Sequence, residues 1–348
     1  MTSEPDQSAP GGHEPRLRAF YAGRRVCVTG GAGFIGGHLA RALLDLGAEV
    51  SVIDDCSNAD AAGPAELLDR YPTAFRFIHA SILEPEALAD AVDRCGTVFH
   101  EAAMVSVPRS LEEPDRCMLV NAVGTERVAE AARLAGAARM VYAASSSAYG
   151  DTDELPKRED MPPNCLSPYA AAKLAGEQVV RAWASSWELD GVSLRYFNVF
   201  GAGQPGDSPY SAVVAKFAAQ IAADEPVTIF GDGEQTRDMT HVSNAVLANL
   251  LAGAAPHPLD GAVLNVGCGE RTTINTLFRR IAALLGREHA TATHAEPRAG
   301  DVRHSLADLT SIRTALGYEP VTTLDEGLRL TLADPPERTP RGVIGRVG

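Results

Sequence analysis

The sequence predicts an α/β protein with a doubly wound parallel sheet and a smaller α/β lobe interleaved with that sheet. In the first half of the 348-residue chain, short apolar runs alternate with helical segments. Continuous apolar runs that are separated by helices are typical of parallel strands covered on both faces. After about residue 196 the alternation becomes less regular, which indicates a second lobe rather than a longer sheet.

Several apolar runs in the first half have the length and composition of buried strands. In chain order they are RRVCVTG, AEVSVIDD, FRFIHA, TVFHEAA and ARMVYAAS. Amphipathic helices are predicted between them, among them FIGGHLARALLDLG, PEALADAVDRCG and VNAVGTERVAEAARLAG. A helix between consecutive strands returns the chain to the same end of the sheet, so we expect these strands to be parallel.

The change in pattern also sets the expected domain boundaries. The first domain is expected over residues 21–196, with a later stretch of about 227–254 woven back into it. Residues 197–335 are expected to form mainly the second lobe. Residues 1–20, which are polar and rich in proline and glycine, are expected to be a disordered tail, and residues 336–348 a frayed one.

The composition argues against several classes of function. A formal net charge of −14 disfavours nucleic acid or an anionic membrane surface as the main partner, although a few local arginines can still bind a small anion. No apolar run approaches the roughly 20 residues that span a bilayer, and the polar N-terminal residues do not resemble a secretory signal. The six cysteines form no C-x-x-C pair, so neither a metal site nor a disulfide framework is predicted. We therefore expect reduced thiols and a cytoplasmic location.

The segment VCVTGGAGFIGGHLA runs from the first predicted strand into the first predicted helix. It spaces Gly30, Gly33 and Gly36 so that the chain turns tightly, approaches a pyrophosphate with its backbone and packs the helix on the strand. The helix N-terminus then offers N–H groups to the phosphates. Asp54 ends the second strand, near the offset of about 20 residues at which an acidic residue binds the ribose of NAD. A carboxylate there repels the 2′-phosphate of NADP, so the sequence predicts a Rossmann domain that binds NAD.

A second motif lies in the alanine-rich segment SPYAAAKLAGE, where Tyr169 and Lys173 are four residues apart. One helical turn separates them, so both side chains leave the same face. Taken alone, the pair is best explained as a solvated lysine beside a half-buried tyrosine. The alternative is a catalytic pair in which the cation lowers the pKa of a phenol that ordinarily titrates near about 10.

Taken in order, the glycine motif, YAASSSAYGD and SPYAAAK resemble the extended short-chain dehydrogenase/reductase family, and within it most closely the nucleotide-sugar 4-epimerases. The resemblance runs from about Arg24 to Tyr318. Further matching segments are VFHEAA, VNAVGT, RYFNVFG, GDGEQTRD and PRAGDVRHS. The resemblance implies that the second lobe binds substrate, and it favours the catalytic interpretation of Tyr169 and Lys173.

The resemblance also implies a role for each motif residue. Tyr169 would be general base and acid for the sugar hydroxyl, Lys173 would bind the nicotinamide ribose and hold Tyr169 partly ionised, and Ser145 would hydrogen-bond the same sugar oxygen. NAD would be regenerated in each cycle and so be retained. The other residues implied at the NAD site are Phe34, Ile35, Asn58, Ser81, Ile82, Ala102, Ala103 and Asn121.

The residues after Ser145 bear on the type of reaction. Related 4,6-dehydratases carry Asp-Glu there, whereas this chain carries Ser146 and Ser147, neither of which abstracts a carbon-bound proton at neutral pH. The resemblance therefore implies chemistry that stops at reversible oxidation of the sugar. The residues implied at the substrate site are Ser146, Ser147, Asn198, Tyr210, Val213, Arg237, Arg298 and Asp301.

The expected function is NAD-dependent 4-epimerisation of a UDP-sugar, either UDP-N-acetylglucosamine or UDP-glucose, to the galacto form. The enzyme alternatives are a UDP-glucuronate 4-epimerase, or another nucleotide-sugar dehydratase or reductase. Glucuronate epimerases usually carry Thr at the position of Asn198 and Arg near Pro205, a pattern from which this chain departs. A remote alternative is a protein that senses NAD without catalysis.

Two further expectations come from the resemblance. Helices around Cys117 to Leu134 and Tyr169 to Trp187 would pair with those of a second copy, which predicts a homodimer. Glu101 stands where the family more often has Leu or Gln, so an acidic residue near the cofactor is unexpected.

Overall fold

A computed structural model describes residues 13–204, 213–297 and 302–333. The strands, in chain order, are β1 Arg25–Thr29, β2 Glu49–Asp54, β3 Phe75–His79, β4 Thr97–His100, β5 Arg139–Ser145, β6 Asp190–Tyr196, β7 Val199–Phe200, β8 Val227–Phe230, β9 Thr236–Arg237, β10 Thr240–His241, β11 Ala262–Val266, β12 Thr272–Thr273 and β13 Ala292–Ala295. The α-helices are α1 Glu14–Tyr21, α2 Phe34–Asp45, α3 Ala62–Arg70, α4 Pro85–Val92, α5 Val107–Glu112, α6 Pro114–Met118, α7 Gly124–Leu134, α8 Pro168–Ser186, α9 Val213–Ala222, α10 Val242–Gly253, α11 Ile274–Leu284, α12 Thr310–Leu316 and α13 Leu324–Ala333. A π-helical turn, Leu119–Val123, joins α6 to α7, and a 3₁₀ turn, Ser146–Tyr149, follows β5.

The central sheet has seven parallel strands in the order β11-β6-β5-β4-β1-β2-β3. Val28 in the middle of β1 lies between Val52 of β2 and Phe99 of β4, so β1 is flanked on both sides. The chain winds outward from β1 to β3 and then returns to β4 on the other side of β1. This is the predicted doubly wound arrangement, and it opens a crevice beyond the carboxyl ends of β1 and β4, where ligands bind in such sheets.

Successive strand residues point to opposite faces of the sheet, and each face has its own apolar core. In β1, for example, Val26 and Val28 join one core whereas Cys27 joins the other. The first core packs against α2 and α10 and includes Leu39, Leu43, Leu250 and Leu251. The second packs against α4, α7 and α8 and includes Leu88, Val92, Val128 and Val180. The helices that position the site are thereby held on both sides of the sheet.

A smaller lobe lies beyond the carboxyl end of the sheet. Its strands form two-stranded pairs, with β8 parallel to β13, β7 parallel to β10 and β9 antiparallel to β12. A third apolar core joins these strands to α9, α11 and α13, and its buried members include Val214, Phe217, Ile229, Leu277, Ile281 and Leu328. The predicted second lobe is therefore a separate packing unit with its own core.

Three details differ from the sequence-based boundaries. Residues 14–20 are helical rather than part of a disordered tail, because Leu17 and Tyr21 are buried and the Tyr21 hydroxyl donates to the Leu250 carbonyl at 2.8 Å. Of the stretch 227–254, α10 packs on the central sheet, but β8 belongs to the smaller lobe. In the other direction, β11 lies in the part of the chain assigned mainly to the second lobe, yet it pairs with β6 in the central sheet. Residues 336–348, predicted to be frayed, lie outside the described residues.

Candidate functional site

A cavity of about 740 Å³ opens at the crevice beyond the ends of β1 and β4. The glycine turn between β1 and α2 forms one wall. Gly30 has a φ of +72°, and a Cβ on it would lie 2.5 Å from the Ala102 amide nitrogen. A Cβ on Gly36 would lie 2.2 Å from the Gly30 carbonyl oxygen. Both positions therefore exclude every other residue, and the turn leaves its backbone open toward the cavity.

Asp54, the last residue of β2, also lines this cavity. The Ala32 amide donates to its Oδ2 at 3.0 Å, and the Cys56 amide donates to its Oδ1 at 2.8 Å. Burial raises the pKa of the Asp54 carboxyl, and these backbone hydrogen bonds oppose the rise. The carboxylate is thus held in one orientation with lone pairs left to accept hydrogen bonds from ribose hydroxyls.

Most of the other residues predicted at the NAD site lie in the wall of this cavity. They are Gly33, Phe34, Ile35, Asn58, Ser81, Ile82, Ala102, Ala103, Tyr169 and Lys173. Asn121 is a correction, because it is buried behind the wall and its amide is engaged by Met104. Asn121 Oδ1 accepts from the Met104 amide at 2.8 Å, and Nδ2 donates to the Met104 carbonyl at 3.0 Å. Asn121 therefore shapes the loop after β4 rather than reaching into the cavity.

Lys173 is the most deeply buried charged group of the cavity wall, with 3% of its surface exposed. Its helix, α8, begins at Ser167, whose hydroxyl caps it by accepting from the Ala170 amide at 3.2 Å. Lys173 Nζ donates to the Ala143 carbonyl of β5 at 2.8 Å. Burial lowers the pKa of Lys173 to about 8, and the nearby Glu101 carboxylate opposes that change. Lys173 is therefore an ammonium group that is held against the end of β5 and has a pKa close to neutral.

Tyr169 lies one turn before Lys173, and it lines two cavities. Burial raises the pKa of the Tyr169 phenol, and a hydrogen bond with Ser145 lowers it. Burial is the larger of these two effects, so the phenol needs a stabilising positive charge in order to ionise near neutral pH. Ser145 accepts from the Ser147 amide at 3.2 Å, and the two serine hydroxyls are 2.9 Å apart.

The second cavity, of about 360 Å³, adjoins the first at Tyr169 and is lined in part by residues of the smaller lobe, among them Arg237. Of the residues predicted at the substrate site, those that line it are Ser146, Ser147, Asn198 and Arg237. Val213 is partly buried against the core of the smaller lobe and is not among the described residues that line the cavity, so its role stays a prediction. Tyr210, Arg298 and Asp301 lie outside the described residues.

The structure adds several polar residues that the sequence did not single out. Tyr149, Lys157 and His304 line the second cavity. Arg109 lines the first cavity, and its Nη1 donates to Asn58 Oδ1 at 2.6 Å. Tyr196 lines both cavities and donates to Glu101 at 2.7 Å. One signal was present, because Tyr196 ends an apolar strand, where ligand-binding residues of such sheets lie.

The described residues offer neither a metal site nor a membrane-spanning helix. They contain no group of three His, Cys, Asp or Glu side chains placed to hold a metal ion. Among these same residues, no helix combines the length and apolar character needed to cross a bilayer.

The first cavity combines a glycine turn at the end of β1 with a phenol and a buried ammonium group on one helix, and the phenol also lines the second cavity. On a Rossmann sheet this combination defines a site of the short-chain dehydrogenase/reductase class. Within that class, the chain belongs to the NAD dependent epimerase/dehydratase family, which it matches over residues 26–267. The fold, the glycine turn and the family agree on NAD as the cofactor.

Individual relatives are similar over nearly their whole length. A UDP-glucose 4-epimerase of Mycolicibacterium smegmatis is 38% identical over 314 residues, which cover 88% of this chain and 97% of the relative. The solved structure of a UDP-N-acetylglucosamine 4-epimerase from Methanobrevibacter ruminantium, in complex with UDP-N-acetylmuramic acid, is 33% identical with a TM-score of 0.84, covering 90% of this chain and 98% of that one. A UDP-glucose 4-epimerase from Thermotoga maritima, solved with UDP-glucose, is 35% identical with a TM-score of 0.82, covering 89% of this chain and 98% of that one.

Proposed function

We propose that this chain is an NAD-dependent 4-epimerase that interconverts a UDP-hexose or UDP-N-acetylhexosamine with its galacto form. The observation that carries the proposal is the position of Tyr169, which lines both the dinucleotide cavity and the adjoining cavity. A proton-transfer group at that junction serves a sugar hydroxyl on one side and a nicotinamide on the other.

The residues of the first cavity fit NAD. The glycine turn leaves no space for a Cβ at Gly30 or Gly36, as a backbone that approaches a pyrophosphate requires. Asp54 would hold the adenosine ribose through its free lone pairs, and Lys173 the nicotinamide ribose. Bound NAD supplies a hydride acceptor and donor that the side chains of the protein lack.

The side chains move the proton. Tyr169 would accept the proton of the C4 hydroxyl as that carbon is oxidised, and return it to the C4 oxygen when the carbon is reduced from the opposite face. Ser145 would hydrogen-bond the same oxygen and orient it. Because burial raises the pKa of Tyr169, the positive charge of Lys173 is needed to stabilise the phenolate form.

The second cavity favours epimerisation over loss of water or carbon dioxide. Ser146 and Ser147 lie directly after Ser145 in its wall, where a dehydration would need an acid and a base. Serine hydroxyls do not abstract a carbon-bound proton at neutral pH, so these side chains favour reduction of the keto sugar over its dehydration. Arg237, which is buried and lines the same cavity, would bind the diphosphate.

The small residues of this wall favour UDP-N-acetylglucosamine or UDP-glucose as substrate. Ser146 and Ser147 would leave room beside the reacting carbon, and by family resemblance Asn198 stands where glucuronate epimerases usually carry Thr. Arg237 and Asn198 would bind the phosphate and sugar oxygens from the side of the smaller lobe.

The test is to incubate the purified full chain with UDP-N-acetylglucosamine, without added NAD, and to follow the sugar by proton NMR. Appearance of the C4 epimer is the expected result, because a retained cofactor needs no external supply. UDP-glucose and UDP-glucuronate are run in parallel, with and without NAD. Release of a dehydrated or decarboxylated sugar, or net consumption of NADH, would contradict the proposal.

We further propose that two copies associate through α6, α7 and α8. The apolar side chains exposed on or next to these helices are Met118, Leu119, Val123, Leu134 and Trp187. Exposed apolar side chains on adjacent helices fit burial against the same helices of a second copy. Light scattering after size exclusion is expected to give twice the chain mass, and Leu134→Glu to shift the protein toward the monomer.

A cytoplasmic location is proposed from the thiols. All six cysteines are free and lie buried or half-buried in the described part of the chain. Free cysteines are typical of proteins in a reducing compartment.

A further inference from the structure

The proposed mechanism assigns no role to the carboxyl group of Glu101, although this group lies in the wall of the dinucleotide cavity. Glu101 directly follows β4, and strand alternation turns its side chain away from the face that carries His100. It shares the cavity wall with Tyr169, Lys173 and Tyr196. These neighbours place Glu101 at the catalytic end of the cavity, whereas Asp54 marks the other end.

Hydrogen bonds hold this carboxylate in place. Tyr196 Oη donates to Glu101 Oε1 at 2.7 Å. Asn249 Nδ2, from α10, donates to Tyr196 Oη at 2.7 Å and to the Ala245 carbonyl at 3.0 Å. Because the amide occupies a lone pair of the phenol oxygen, the phenol hydrogen is directed at Glu101. The Tyr196 hydroxyl therefore stabilises the ionised form of Glu101, and Asn249 orients that hydroxyl.

The charge on Glu101 offsets the charge on Lys173. An ammonium group at this end of the cavity stabilises the Tyr169 phenolate, but it also repels the oxidised nicotinamide ring, which is itself positive. The reduced ring is neutral and is not repelled. A carboxylate on the same wall offsets this repulsion. In a partly buried site, one unit charge changes the ratio of the dissociation constants for NADH and NAD by about an order of magnitude or more.

We propose that Glu101 supplies a negative charge at the catalytic end of the cavity that makes the chain bind oxidised NAD in preference to NADH. The cofactor must return its hydride in every cycle. A preference for NAD shortens the time that the cofactor spends as NADH, so the keto sugar is reduced again before it dissociates. The inference rests on the proposed use of NAD, but it does not depend on which sugar reacts.

The test measures the dissociation constants of NAD and NADH with the full chain at pH 7.5, after copurified NAD has been removed, by NADH fluorescence and by competition with NAD. Glu101→Gln preserves size and hydrogen-bonding ability while it removes the charge. In this variant we expect the ratio of the dissociation constant of NADH to that of NAD to fall about tenfold. Glu101→Asp, which keeps the charge, is expected to stay within about threefold of wild type, because the charge moves by only one methylene. An unchanged ratio in Glu101→Gln overturns the inference.

A pH series separates a charge effect from a structural one. The titratable groups that face Glu101 are Tyr196 from β6 and Lys173 and Tyr169 from α8, while α10 contributes the neutral Asn249. Burial raises the pKa of Glu101 to about 7, and the hydrogen bond from Tyr196 and the charge of Lys173 oppose that rise. The difference between wild type and Glu101→Gln is therefore expected at pH 7.5, where Glu101 and Lys173 are both mostly charged, and it is lost at pH 5.5, where the side chain at position 101 is neutral in both proteins. A difference that persists unchanged at pH 5.5 would refute a role for the charge.

Tyr196→Phe provides a second, independent variant. Removing its hydroxyl raises the pKa of Glu101 further. As the pH is lowered, the preference for NAD is therefore expected to disappear at a higher pH in this variant than in wild type. A pH profile that does not move overturns the inference. If wild type binds neither NAD nor NADH, the proposed function fails together with this inference. If it binds both, and Glu101→Gln leaves their ratio unchanged, only the inference on Glu101 fails.

Discussion

Glu177 of α8 and Arg195 of β6 form a two-pronged ion pair, with N–O distances of 2.8 and 2.7 Å. The side chains retain 0% and 5% of their exposure, so the pair is almost wholly removed from water. The Arg195 guanidinium also lies 4.6 Å from the centre of the Tyr149 ring. Because α8 carries Tyr169 and Lys173, this pair ties the proposed catalytic helix to the sheet.

Removing one partner of this pair leaves the other charge buried without compensation. We expect Glu177→Gln to lower the free energy of unfolding by about 3–5 kcal/mol, measured by urea denaturation. The control is Glu319→Gln, which breaks a half-exposed pair with Arg313 and is expected to cost about 1 kcal/mol or less. Equal effects of the two substitutions would contradict the structural role of the buried pair.

Tyr169→Phe removes the hydroxyl that transfers the proton but keeps the ring. Turnover is expected to fall by roughly 10²–10⁴-fold, the usual contribution of a general acid–base group. The amount of NAD that copurifies is expected to be unchanged, because Asp54 and the glycine turn remain. Tyr71→Phe, whose hydroxyl bonds to Asp45 on the exposed surface, serves as the matched control and is expected to retain wild-type turnover. Wild-type turnover in Tyr169→Phe would rule out the proposed mechanism.

Gly36→Ala tests the glycine turn. A Cβ there would lie 2.2 Å from the Gly30 carbonyl oxygen, so the start of α2 must move and the copurified NAD is expected to be lost. Gly63→Ala, in the exposed helix α3, meets nothing within 4 Å. That substitution is expected to leave NAD binding intact, because residue 63 is exposed and lies outside the glycine turn. The ratio of absorbance at 260 and 280 nm reports the bound nucleotide in both variants.

His100 is expected to make the protein sensitive to acid. It is fully buried, with Nδ1 at 2.7 Å from the Thr29 hydroxyl and Nε2 at 3.0 Å from the Thr125 hydroxyl. Burial lowers the pKa of His100 from 6.5 to about 3, and the charge of Lys173 adds to this effect. Between these two pKa values the unfolded chain binds a proton that the folded chain does not, so stability is lost as the pH falls from 6.5 toward 3.

The measurement for His100 is the free energy of unfolding as a function of pH. The slope in this window is expected to be about 1.4 kcal/mol per pH unit steeper in wild type than in His100→Gln, which carries no titrating group there. Carboxyl groups contribute equally to both proteins and cancel in the difference. Parallel pH profiles for the two proteins would show that protonation of His100 does not lower the free energy of unfolding.

Much of the first domain was predictable because its signals are local. The strands β1 to β5 are continuous apolar runs, and the spacing of Gly30, Gly33 and Gly36 follows from the turn that the backbone must make before α2. The four-residue spacing of Tyr169 and Lys173 placed them on one helical face, and the structure has them in the wall of one cavity. Each of these features depends on residues that are close together in the chain.

Features that join distant parts of the chain were missed or misplaced. The position of β11 beside β6 depends on pairing across about 70 residues, and no short pattern encodes such pairing. Asn121 looked like a cofactor ligand by resemblance, but its amide is engaged by Met104. Helix α1 looked like a tail because its polar composition concealed Leu17 and Tyr21, which are the residues that anchor it.

The sequence by itself determined the parallel α/β class, the dinucleotide turn and the Ser-Tyr-Lys set, because periodicity, spacing and residue chemistry are written along the chain. Only the tertiary structure brought Glu101 within 2.7 Å of Tyr196, although they are 95 residues apart and β5 lies between their strands. It likewise lowered the pKa of Lys173 and raised that of Tyr169, since burial and neighbouring charges arise only when the elements pack. The functional groups of the site therefore follow from the sequence, whereas their pKa values follow from the fold that packs them together.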